Sequence, residues 1–131
     1  MKPRMLALCA GLILLAGAGQ VWAHHSFSAT YDSSQKIEID AVVKEFVWRN
    51  PHSFLRVDVT DKSGATKTWA LEWGSTGQLA KSAMTRTTLK PGDHLIITGQ
   101  PSRDMNDDAP RLLLQTVKRP SDGWAWSGRV E

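Results

Sequence analysis

Thiol chemistry is the first thing this sequence lacks. Its 131 residues hold a single cysteine, Cys9, and that residue sits in an N-terminal apolar run rather than in the body of the chain. Nor is there a phosphate cradle, because no glycine-rich loop leads into a helix. Ser26, Ser53 and Ser75 lie in no elbow or triad-like setting, so nucleophilic catalysis has no support. Asp104, Asp107 and Asp108 resemble a calcium loop only in composition; the spacing and the closing glutamate are missing. Apart from one stretch, long hydrophobic runs are absent too. That stretch, residues 5–19 (MLALCAGLILLAGAG), is 15 residues long and shorter than a membrane-spanning helix needs.

Lys2 and Arg4 precede the apolar run, and Val21-Trp22-Ala23 places small residues where a signal peptidase reads. Residues 1–23 therefore read as a secretory signal peptide, which implies a bacterial periplasmic or secreted protein that meets the membrane only before cleavage. Removing them leaves 108 residues and lowers the formal net charge from +3 to about +1. A polyanion-binding role loses its compositional basis, and nucleic acid is not an expected partner. The mature chain has no cysteine left, so a core must hold it together without disulfides. Five of the six tryptophans remain to supply that core.

A polar arm, residues 24–35, precedes the first periodic segment, and residues 24–131 are expected to form one domain. In Lys36–Trp48, Ile37, Ile39 and Ala41 alternate with polar residues before the phase passes to Val42, Phe46 and Trp48. Such a break predicts a bulge that lets one long strand serve two parts of a sheet. Asn50-Pro51 turns the chain. Ser53–Thr60 and Thr66–Trp73 alternate cleanly around the loop Asp61–Ala65 and read as a hairpin. Ser75 caps a predicted helix over Thr76–Met84. Strands are expected over His94–Gly99 and Arg111–Lys118, with a polar loop between them and a tail over residues 121–131. The order β-β-β-α-β-β is that of a mainly β, five-stranded oligonucleotide/oligosaccharide-binding (OB-like) barrel with one short helix; a small open sandwich is the alternative.

Cleavage after Ala23 makes His24 the new N-terminus. Its α-amino nitrogen and imidazole form a chelate, and the low pKa of an α-amino group lets a metal displace its proton at neutral pH. A third nitrogen completes a roughly planar set suited to copper(II). His25 and His52 are the candidates, and a solvated, ligand-free start is the plain alternative. His52 follows Pro51 in a loop expected to be rigid. In a regular hairpin closed by residues 61–65, Phe54 lies opposite Glu72, with His52 at the same end, near Trp73 and Gly74. Glu72 then either orients His52 or forms a cross-strand ion pair with Arg56. His94 reads as a surface histidine.

The set Ala23-His24-His25-Ser26-Phe27, Trp48-x-Asn50-Pro51-His52, Trp69-x-Leu71-Glu72-x-Gly74-Ser75 and Leu89-Lys90-Pro91-Gly92-Asp93 resembles a family of small exported bacterial proteins known as a domain of unknown function. The resemblance spans nearly the whole mature chain and implies an exported barrel-like domain, but brings no activity or catalytic residue. Thr76 stands where members often have proline after the Gly-Ser step. Two functions follow as expectations. One is a non-enzymatic periplasmic protein capturing copper through His24, His25 and His52. The other is a metal-free adaptor or binding module for an oligosaccharide, a small apolar ligand or an envelope protein. Phe54, Glu72 and Trp73 would contribute to that module, with Trp124 and Trp126 either lining its groove or covering a barrel end.

Overall fold

The computed structural model describes residues 27–105 and 108–130. His24, His25 and residues 1–23, expected to be a signal peptide, lie outside them. Residues 1–30 form one unit, in which residues 27–30 are helical. The second unit, Tyr31–Glu131, is a β-barrel.

Six strands build it: β1 (Ile37–Val47), β2 (Phe54–Thr60), β3 (Thr66–Glu72), β4 (His94–Pro101), β5 (Arg111–Arg119) and β6 (Trp124–Ser127), with helix α1 (Thr76–Ala80) between β3 and β4. The sheet runs β3-β2-β1-β4-β5-β6, and a further β3–β5 pairing closes its first five strands into a barrel. Every ladder is antiparallel except that closure, which is parallel and joins Ala70 to Arg111, Leu71 to Leu112 and Glu72 to Leu113. This is the five-stranded OB-like arrangement expected from the element order, with β6 added on the free side of β5. Residues 121–131 thus include a strand within the stretch read as a tail.

The bulge in β1 lies between Val43 and Glu45. Before it the strand pairs with β4 from Ile37 to Val42, and from Val42 onward it pairs with β2. One strand therefore serves both neighbours, because the extra residue bends and twists it. The inward series is Ile39, Ala41 and Val43. The phase changes one residue later than the hydrophobic pattern suggests, and Val42 is 43% exposed. β4 breaks register between Thr98 and Gly99. A Cβ on Gly99 would collide with the Leu113 carbonyl oxygen and the Leu112 side chain, so the close passage of β4 over β5 requires glycine.

Leu55, Val57, Leu71, Trp73, Leu79, Leu95, Ile97, Leu112, Leu114 and Val117 are fully buried. All but Leu79, on α1, and Trp73, just past β3, point inward from strands, and each large apolar side chain removed from water contributes about 1.5–3 kcal/mol. Trp126 of β6 meets Trp73 edge-on, with ring centroids 5.0 Å apart. It covers the core, whereas Trp124 lies under the Arg119 guanidinium at 5.4 Å. Arg119 also ties the β4-flanking turn to the barrel, donating to the Thr88 carbonyl at 2.7 Å and to Asp93 at 2.9 Å.

Helix α1 starts where expected, since Ser75 Oγ accepts the Gln78 amide at 3.1 Å. Thr76 opens it without difficulty in place of proline. It ends four residues short of the predicted Met84. The Met84 amide returns to the Leu79 carbonyl and the Ala83 amide to that of Ala80, with Ala83 at φ 57°. That is a Schellman ending, sealed by contact-forming positions Leu79 and Met84, both buried.

Candidate functional site: a clamped histidine on the barrel surface

The Trp48–Ser53 loop is held at both ends. Ser53, fully buried, exchanges backbone hydrogen bonds with Gly74 and Trp73 at 2.9 Å each, extending the β2–β3 ladder. Its hydroxyl donates to the Arg49 carbonyl at 3.2 Å. Asn50 Oδ1 accepts from the Thr76 amide at 3.0 Å and the Thr76 hydroxyl at 2.8 Å, which joins the loop to the start of α1. The Asn50–Pro51 peptide is cis. Hydrogen bonds thus tie the loop to the β2–β3 ladder, to its own start and to α1.

His52 emerges from it against the end of β3. The hairpin register is the one expected, with Phe54 opposite Glu72 and Arg56 opposite Ala70. His52 Nδ1 lies 2.9 Å from Glu72 Oε1. Glu72 Oε2 accepts from the Tyr31 hydroxyl at 2.5 Å and from Arg111 Nη2 at 3.4 Å. Arg111 also stands over the Tyr31 ring at 5.9 Å. Of the two readings of Glu72, the structure carries the His52 pairing; Arg56 instead pairs with Glu45 at 3.3 Å.

Burial sets the chemistry of this cluster. Tyr31 is 1% exposed, and the Glu72 side chain is 12% exposed. Burial first, and the neighbouring Glu72 carboxylate second, push the Tyr31 phenol well above its ordinary range. The phenol therefore stays a donor, at the short distance typical of O–H donation to a carboxylate. An ionised Glu72 can only accept, so the Nδ1 of a neutral His52 carries the ring proton. Its lone pair is then on Nε2, a tautomer assigned by partner chemistry.

Two recesses adjoin on this face and share Arg49 and Phe54. One, of about 380 Å³, is lined by Arg49, Asn50, Pro51, His52, Phe54 and Glu72. The other, of about 230 Å³, is lined by Val47, Arg49, Phe54, Arg56, Ala70 and Arg111. The Arg49 guanidinium lies 5.0 Å over the Phe54 ring.

The structure thus brings His52, Phe54 and Glu72 together. Trp73 belongs to the core, fully buried and in contact with Phe46 and Trp126. His94 is half-exposed and bonded to Asp40 at 2.7 Å. Among the described residues, no group of three or more His, Cys, Asp or Glu side chains is arranged to hold a metal, and no helix is long and apolar enough to cross a membrane. Sequence reasoning missed Tyr31, Arg49 and Arg111. The only signal for Tyr31 was its aromatic ring, one of two with Phe27, in a largely polar arm.

By fold and site the protein is a small closed β-barrel of OB-like connectivity that carries a His–Glu–Tyr–Arg cluster on its outer face. The chain belongs to a family of unknown function, DUF6152, whose profile matches residues 11–110. No curated protein and no solved structure shows significant similarity to it.

Proposed function

We propose that the mature chain is a non-enzymatic binding protein of the bacterial cell envelope that captures copper(II) through its N-terminal histidine. Export and cleavage after Ala23 would give His24 a terminal amine beside its imidazole, a five-atom chelate that favours a planar nitrogen set. His25 and His52 supply the further imidazoles. The observation that supports this reading is the Glu72 clamp on His52 Nδ1 at 2.9 Å. Metal-binding histidines almost always donate their second ring N–H to a carboxylate or carbonyl, which fixes the tautomer and raises ligand basicity. Here Tyr31 and Arg111 fix the carboxylate in turn.

Protein processed to begin at His24, with its N-terminus verified by mass spectrometry, is expected to bind one copper(II) with a nitrogen-rich EPR spectrum. One methionine added before His24 weakens binding at least about tenfold, a loss of about 1.4 kcal/mol or more. His52→Ala removes one nitrogen from the spectrum. Equal copper affinity of authentic and methionine-extended protein would falsify the N-terminal chelate.

A second reading, a binding module for a small envelope ligand, draws on a different observation: the two recesses that meet at Arg49 and Phe54.

A further inference from the structure

We infer that the recess between Arg56 and Arg111 is a binding site for a small ring-bearing carboxylate. The register builds it. Glu45, Arg56, Ala70 and Arg111 are consecutive lateral partners across β1, β2, β3 and β5, so they form one row over the outside of the barrel. Ala70 is the short side chain of that row, and it leaves a gap flanked by two guanidinium groups. Phe54 and Val47 are partners in the adjoining row and give the gap an apolar wall. Arg49 reaches in from the loop, stacked on Phe54. Stacking occupies the face of the guanidinium and leaves its N–H edges for hydrogen bonding.

Charge complementarity selects the ligand. Glu45 and Glu72 are the acidic partners of Arg56 and Arg111, and Arg49 adds a third guanidinium to the two recesses. The Arg56–Glu45 pair is more than half exposed on both sides, and such pairs are weak in water, so a ligand carboxylate can displace it. Arg111 gives Glu72 a long bond of 3.4 Å and also meets the Tyr31 phenol, which leaves part of its five-donor fork for a second carboxylate. A planar fork of this kind recognises carboxylates bidentately. The volume of about 230 Å³ falls below the range of roughly 300–1,000 Å³ that holds drug-sized ligands. One ring with one carboxylate matches both the size and the pairing of an apolar wall with a cationic rim.

Benzoate and glucuronate test this in the processed, copper-free protein, and distinguish an aromatic from a sugar ring; benzyl alcohol is the uncharged control. Amide shifts at Arg56, Ala70 and Arg111 are expected to saturate for at least one of the acids with a dissociation constant on the order of 1 mM. Benzyl alcohol binds at least about tenfold more weakly than benzoate if benzoate is the acid that binds. Arg56→Met weakens binding about fivefold or more. Ala70→Leu fills the gap while keeping every arginine and abolishes the response, with an unfolding curve to show that the variant is folded. The inference is overturned if neither acid binds, if benzoate binds no more tightly than benzyl alcohol and glucuronate does not bind, or if the response survives Ala70→Leu. Neither variant touches His24, His25 or His52, so failure here leaves the copper reading standing and the reverse.

Discussion

Tyr31 is the only tyrosine in the chain, so its ionisation can be followed without interference from any other phenol. Its folded pKa is raised by burial and by the Glu72 carboxylate it donates to, whereas in the unfolded chain it returns to about 10.0. The sign follows from linkage. A group whose folded pKa is raised contributes stability in full below its unfolded value and loses it as pH climbs through and beyond that value. One unit above the unfolded pKa, with the native phenol still protonated, the loss is about 1.4 kcal/mol. For a domain of roughly 100 residues that lowers Tm by about 6–11 °C.

Near-ultraviolet phenolate absorbance and tryptophan fluorescence, recorded together during an alkaline titration, check this. The phenolate signal is expected only when the fluorescence reports unfolding. Tyr31→Phe removes the hydroxyl and its bond to a carboxylate, costing about 1.5–3 kcal/mol at neutral pH. It also removes the share of the alkaline destabilisation that lysines and arginines do not explain. A phenolate appearing at the ordinary tyrosine pKa while fluorescence remains native would refute the buried Tyr31–Glu72 bond. So would an alkaline stability profile of Tyr31→Phe parallel to that of the parent.

Two further substitutions probe the frame that holds the site. Arg119→Met loses the bonds to Thr88 and Asp93, made by a side chain that is 16% exposed, and is expected to cost about 1.5–3 kcal/mol in urea unfolding; a midpoint equal to that of the parent would show that the turn before β4 does not depend on this arginine. Ala83→Gly relieves the left-handed backbone at φ 57° and is expected to stabilise by about 0.5–1 kcal/mol, after the added flexibility of the unfolded chain is counted. A lower Tm for that variant would contradict the Schellman ending of α1.

The parts of this structure legible in the sequence are those encoded by neighbours. Clean alternation on either side of Asp61–Ala65 was enough to set Phe54 opposite Glu72 and so to bring His52 and Glu72 to one end of a hairpin. The parallel β3–β5 closure has no such local code. It alone brings Arg111 alongside Ala70, and Tyr31 reaches Glu72 across 41 positions of sequence. β6 was hidden for a related reason: four residues, WAWS, among glycines and serines carry too little periodicity to announce a strand.

The choice between the two partners of Glu72 was settled by a detail whose presence, but not its consequence, could be read in advance. Val43 pairs with Val57, so an unbroken β1–β2 ladder would set Lys44 opposite Arg56, two like charges facing each other. The bulge advances β1 by one residue and sets Glu45 there instead, at 3.3 Å from the guanidinium. Arg56 thereby has its own acidic partner on the exposed side of the sheet. Glu72, diagonal to Arg56 across the β2–β3 ladder, takes His52, Tyr31 and Arg111. One extra residue in the first strand thus separates the two outer-face chemistries, an arginine-lined gap over Ala70 and a carboxylate-oriented imidazole at the end of β3.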